Sequence, residues 1–230
     1  MKNIITILVL LITCISTAQK KKDLWLKDYV VKEKPKVPIQ EVTPFVGEDQ
    51  FVITYSAGDF NGDTLTDVIA VLGDKKEVDK QRKDSNKEEE IRRPLLILKR
   101  NDQGVLELMH KNDSVVYCYM CGSANGSPLT SILFTGNTFA VQHEAGKSNR
   151  WTRLITFEFD REKEVWLLKK DATSKYNIMN RKGFESEVKT QDDFGFIQFV
   201  NVDVYEDDLI KKRSKKNDRI EKVNVKLTTD

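Results

Sequence analysis

The sequence predicts an all-β fold: a single domain of about eight or nine antiparallel strands, arranged as a sandwich, a barrel or a fragment of a propeller. Three observations carry this. Apolar, β-branched and aromatic residues come in short runs, several with period-two alternation. Turn residues separate the runs at roughly ten-residue spacing. Outside one charged insert, no stretch sustains a 3.6-residue period. The length of 230 residues and a hydrophobic content of 39% suit one compact domain. A formal net charge of +2 argues against a dedicated nucleic-acid binder. With 11 Gly and 5 Pro, the chain is neither collagen-like nor of low complexity.

Taken in order, residues 1–18 show the three-part pattern of a secretory signal peptide. Met1-Lys2-Asn3 is a basic start, Ile4 to Ile15 is largely apolar and uncharged, and Ser16 and Ala18 are small residues before a cut at Gln19. The apolar run is shorter than the ~20 residues a membrane-spanning helix needs, which disfavours an uncleaved anchor. A lipoprotein cut at Cys14 is also disfavoured, because Thr13 stands where a lipobox carries Gly or Ala. The expected location is therefore exported, periplasmic or secreted, with no transmembrane segment after signal removal. Residues 19–49 read as an irregular leader with Pro35, Pro38 and Pro44, and with a short helix around Leu24-Trp25-Leu26.

The β domain is expected over 50–205. Runs at 51–55, 67–72 and 94–99 lead to the turn Asn101-Asp102-Gln103-Gly104 and a run at 105–109. A short run at 115–117 precedes a hairpin of 131–134 and 138–142 about Gly136-Asn137. Trp151, Ile155, Phe157 and Phe159 share one face of a longer run, and 165–168 returns after a charged turn at 160–164. The stretch 194–204 also reads as extended, with Phe196, Val200, Val202 and Val204 on one face. The insert 74–93 carries seven acidic and eight basic residues, and reads as a surface insertion between two paired strands with little to offer a core. A charged tail, 206–230, contains Lys211, Lys212, Arg213, Lys215 and Lys216, a patch suited to weak contact with an anionic surface.

One motif carries chemistry. Asp59, Asn61, Asp63 and Asp67 stand at positions 1, 3, 5 and 9 of a short loop between two strands, and the Leu65 carbonyl falls at position 7. Calcium takes six to eight oxygen ligands at about 2.3–2.6 Å, and a tight loop with oxygens on alternate residues turns them towards one centre. The start matches an EF-hand loop, but Ala70 stands at position 12 where an EF-hand has Glu, and strands flank the loop. Gly58-Asp59-Phe60-Asn61-Gly62-Asp63-Thr64-Leu65-Thr66-Asp67-Val68 resembles the calcium loop of FG-GAP or VCBS-type repeats of integrin-like β-propellers. The resemblance implies bound Ca2+ held by Asp59, Asn61, Asp63, Leu65 and Asp67. The departure is Thr64 where the family has Gly, at a position that often takes positive φ, which is costly for a β-branched residue. Fainter resemblance, through Arg93 to Leu98, Cys118-x-x-Cys121-Gly122, His143-Glu144-x-Gly146, Arg150-Trp151 and Trp166-Leu167-Leu168, is to small exported bacterial proteins with one such repeat. It implies fold and location, and says nothing of an activity.

Cys118 and Cys121 are an even pair in a chain read as exported, which favours a structural disulfide. Thiol-redox work needs the pair at a helix N-terminus, and a zinc site would need His110 and His143 as well. His143 beside Glu144 has the makings of a general base, but no nucleophile motif accompanies it. The expected function is a non-enzymatic calcium-binding β protein, a binding or structural module of the cell envelope whose partner is an envelope or extracellular protein or glycan. The alternative is an envelope thiol-redox protein or hydrolase using the Cys pair and His143.

Overall fold

The structure, a computed structural model, describes residues 37–80, 91–179, 184–206 and 209. The signal sequence with Cys14, the helix expected at Leu24-Trp25-Leu26, residues 81–90 of the insert and the basic patch from Lys211 to Lys216 lie outside the described residues.

Among the described residues, nine strands form two antiparallel sheets. The first has the order β1 (Gln50–Gly58), β2 (Asp67–Asp74), β3 (Arg93–Arg100) and β4 (Leu106–Val116). The second has the order β5 (Leu129–Thr135), β6 (Thr138–Ala145), β7 (Asn149–Asp160), β8 (Val165–Asn177) and β9 (Glu185–Thr190). Each is an up-and-down meander whose chain neighbours are sheet neighbours, and neither closes into a barrel.

The alternation in the sequence builds one core between the sheets. Ile69, Val71, Leu95 and Ile97 from the first sheet meet Ile132, Phe139, Val141, Ile155, Phe157, Phe159, Trp166 and Leu168 from the second. The first sheet is also covered on its outer face, which explains why β2 is apolar on both sides. Val68, Ala70, Leu72, Leu96 and Leu98 pack there with Val37 and Val42. Those two residues belong to the stretch read as leader. It makes two 3₁₀ turns, Ile39–Glu41 and Thr43–Phe45, and Tyr55 Oη donates to Val37 O at 2.8 Å. The sheets come together where β1 passes β5: a Cβ on Gly58 would lie 2.5 Å from Phe134 Cε1, so a side chain there would displace the ring.

Four sequence expectations change. The runs at 105–109 and 115–117 are one strand, β4, because Asn112 is a buried strand residue whose amide donates to Phe199 O at 2.6 Å and Val202 O at 2.9 Å. The stretch 194–204 is not a strand. A single turn, α2 (Gln191–Phe194), is capped by Thr190 and Asp193, stops at Gly195 with φ 72, and a 3₁₀ turn follows at Phe199–Asn201. This directs Ile197, Phe199, Val202 and Val204 inward and leaves Phe196 and Val200 exposed. The ninth strand, β9, lies instead in the polar stretch before it. Finally, the insert contributes to the interior: its first residues form α1 (Lys75–Lys80), and Glu77 from it makes a buried pair with Arg93, at 3.0 Å (Nε to Oε1) and 2.6 Å (Nη2 to Oε2). The insert does join two paired strands, β2 and β3, as its position suggested.

Candidate functional site

The loop 59–67 joins β1 to β2, and its geometry follows from short polar side chains capturing nearby amides. Asp59 Oδ1 accepts from Gly62 N at 2.6 Å and Oδ2 from Thr64 N at 2.9 Å. Asn61 Oδ1 accepts from Asp63 N at 3.2 Å, and Asn61 Nδ2 donates to Asp63 Oδ2 at 2.6 Å. Asp63 Oδ1 accepts from Leu65 N at 2.8 Å. Such tight winding needs left-handed backbone at Gly62 (φ 85) and at Thr64 (φ 71). Thr64 therefore carries the strain that its sequence position suggested.

Two residues anchor the loop. Phe60 is fully buried, edge-on to Phe159 and Trp166 with ring centroids 4.7 and 5.1 Å away. Asp67, fully buried at the start of β2, accepts from Phe60 N at 3.2 Å and from Arg100 N at 2.8 Å. Burial pushes the Asp67 carboxyl up to about 6; the two N–H donors pull it down, and the charges of Asp63 and Asp59 add to the rise. Sequence reasoning missed two flanking cations. Arg100 donates to Thr66 O at 2.9 Å, Gly104 O at 2.7 Å and Glu41 Oε2 at 2.6 Å. The Arg161 guanidinium lies against Gly62, where an added Cβ would meet its Nη1 at 2.9 Å. Neither carries a local signal, since both arrive from distant strand ends.

Among the described residues, no group of three or more His, Cys, Asp and Glu side chains converges as metal ligands. Asp59, Asn61, Asp63 and Asp67 are brought onto one short loop, but their oxygens are turned to backbone amides and to one another. The donor set is nonetheless all oxygen, with three carboxylates and an amide, and that chemistry suits a hard divalent cation. A bound cation would exchange some of the N–H bonds for ion contacts.

Cys118 and Cys121 stand at disulfide distance, with Cα atoms 5.1 Å apart, at the entry to a 3₁₀ segment, Tyr119–Asn125. That segment is closed by Gly122 N donating to Gly126 O at 2.9 Å. His143 is fully buried on the core face of β6, where burial first, and then the charges of Arg153 and Arg93, push its pKa down to about 3. Its ring is neutral and out of reach of solvent. His110 packs near Phe199 at 6.3 Å, and burial lowers its pKa.

No family model matches the chain, and no curated protein or solved structure is significantly similar to it.

Proposed function

We propose that this chain is an exported, non-enzymatic β module whose 59–67 loop binds calcium, and that it serves as a binding or structural element of the cell envelope with a protein or glycan partner. The observation that carries the reading is the concentration of Asp59, Asn61, Asp63 and Asp67 on one tightly wound loop whose ends are fixed to the core through Phe60 and Asp67. The resemblance of this loop to FG-GAP and VCBS-type calcium loops supports it. Three carboxylates on so short a loop repel one another, and a divalent ion relieves that repulsion.

Melting curves of the purified protein in EDTA and in calcium test it. Extracellular calcium modules have dissociation constants of ~10⁻⁴–10⁻³ M. At about 1 mM free calcium and a constant of ~10⁻⁴ M, linkage gives RT ln 11, or roughly 1.4 kcal/mol. That corresponds to a rise of roughly 3–6 °C in a domain of this size. Asp63→Ala removes the calcium-dependent part. Superimposable wild-type curves would sink the metal assignment. Signal cleavage is tested separately by mass spectrometry of protein from its native host: the expected N-terminus is Gln19, an intact Met1 would overturn it, and a lipidated Cys14 would make the protein a lipoprotein instead.

A further inference from the structure

The second sheet ends at β9, and among the described residues no strand pairs with its outer edge. An open edge offers unpaired N–H and C=O groups to another strand. The first sheet treats its far edge differently: β4 is held by the C-terminal segment, through Val204 N to Ser114 O at 2.9 Å and through the Asn112 amide. From Glu185 to Lys189, every residue of β9 is exposed. Large apolar side chains are exposed within the strand and close to it in sequence, with Phe184 before it at 52%, Val188 within it at 50% and Phe196 beyond α2 at 78%. The chain after Phe196 continues along β8, where Leu168 N donates to Ile197 O at 2.8 Å.

The sequence Glu185-Ser186-Glu187-Val188-Lys189-Thr190 is selective about what can pair with it. In a two-fold antiparallel pairing of identical strands, one residue must face itself, because bonded and non-bonded pairs alternate along the ladder. Centred on Ser186, the pairing sets Glu185 against Glu187 twice. Centred on Glu187 or Lys189, it sets a charge against its own copy. Centred on Val188, it sets Val188 against Val188, Glu187 against Lys189 twice and Ser186 against Thr190 twice. Only this last register has no like-charge pair, and it buries the one apolar residue of the strand. Glu187 and Lys189 already lie on one face, with Lys189 Nζ 3.5 Å from Glu187 Oε1, so across the axis the four charges alternate in sign. The same rotation brings the entry of one strand, with Phe184, beside the exit of the other, with α2 and Phe196.

We infer that β9 pairs with the β9 of a second copy of this chain about a two-fold axis at Val188, joining two five-stranded sheets into one. The inference does not depend on calcium. Analytical ultracentrifugation of the purified full chain, over about 1–100 µM as suits a small interface, reads the dimer directly. Glu187→Lys and Lys189→Glu each place like charges opposite one another and are expected to weaken the dimer roughly ten-fold or more. The double exchange, Glu187→Lys with Lys189→Glu, restores complementarity and is expected to restore the dimer. Melting curves confirm that each variant is folded, since these side chains are exposed. A wild type that stays monomeric across the range would overturn the inference. So would a dimer indifferent to the single exchanges, or a double exchange no better than either single one.

Discussion

His143 makes the core sensitive to acid, and the size of the effect can be worked out. Its Nε2 accepts from Tyr117 N at 3.4 Å, its ring meets that of Tyr117 edge-on at 4.9 Å, and among the described residues its Nδ1 has no hydrogen-bond partner. Folding lowers its pKa from 6.5 to about 3. The unfolded chain therefore binds more protons between those values, so stability is whole above pH 6.5 and falls as pH drops below it. From pH 8 to pH 5 the loss is RT ln(1 + 10^1.5), or about 2 kcal/mol. For a domain of this size that is a fall of roughly 4–8 °C in melting temperature. Asp67 runs the other way. Its folded pKa is raised from 3.8 to about 6, so its contribution is whole below 3.8 and is lost as pH rises through 6. A difference measurement separates the two. His143→Gln keeps an acceptor for the Tyr117 amide but does not titrate in this range. Urea denaturation of both proteins at pH 8, 6.5 and 5 is expected to show the wild type losing about 2 kcal/mol relative to the variant by pH 5. Parallel pH profiles would refute the reasoning.

Two further outcomes are expected. Thr64→Asn keeps the N–H that Asp59 accepts and places a residue that tolerates left-handed backbone at φ 71, so it gains about 1 kcal/mol by denaturant titration; a loss would mean that the Thr64 side chain contributes more than its strain costs. Glu77→Ala leaves the Arg93 guanidinium buried without its carboxylate, at a cost of about 3–5 kcal/mol. Replacing both residues by Met should recover most of that loss, and a single variant as stable as wild type would show that the pair is not desolvated.

Where a strand was legible, its side chains had to satisfy two environments at once. The residues of β2, β3, β6 and β7 face a core on at least one side, so the period of two is written in Val, Ile, Leu and Phe. At β9 that pressure is absent: an exposed edge strand needs only backbone pairing, and Glu185 to Thr190 carry a single apolar residue. The stretch after it misled for the opposite reason, since Phe196, Val200, Val202 and Val204 alternate by accident. The signals that contradict a strand were present, a capping residue at Thr190 with Asp193 three positions on, and then Gly195 as a stop. Glu77 could not be singled out among the charges of the insert, because what distinguishes it is Arg93, sixteen residues away, and Arg93 is buried only once β3 takes its place. The loop was legible as a set of oxygen donors, because that pattern is local. Its fastening to Arg100, and the approach of Arg161 to Gly62, were not, because they depend on β3 pairing with β2 and on the second sheet packing against the first.

That fastening bears on what a cation can do here. The oxygens of Asp59 and Asp67 each accept a backbone N–H, and Asp63 holds both Leu65 N and the Asn61 amide, so the loop has a closed set of hydrogen bonds of its own. Phe60 is held by ring contacts with Phe159 and Trp166 that involve no charge. The cation-free protein should accordingly fold, with an ion worth roughly 1.4 kcal/mol against a typical total of about 5–15 kcal/mol. Calcium would then adjust the firmness of the β1–β2 junction rather than create the domain. Asp67 is where that adjustment reaches the sheet: it bonds the loop at Phe60 and the end of β3 at Arg100 with the same carboxylate. A cation that neutralised Asp59 and Asp63 would act on this junction through the charges that Asp67 feels from them.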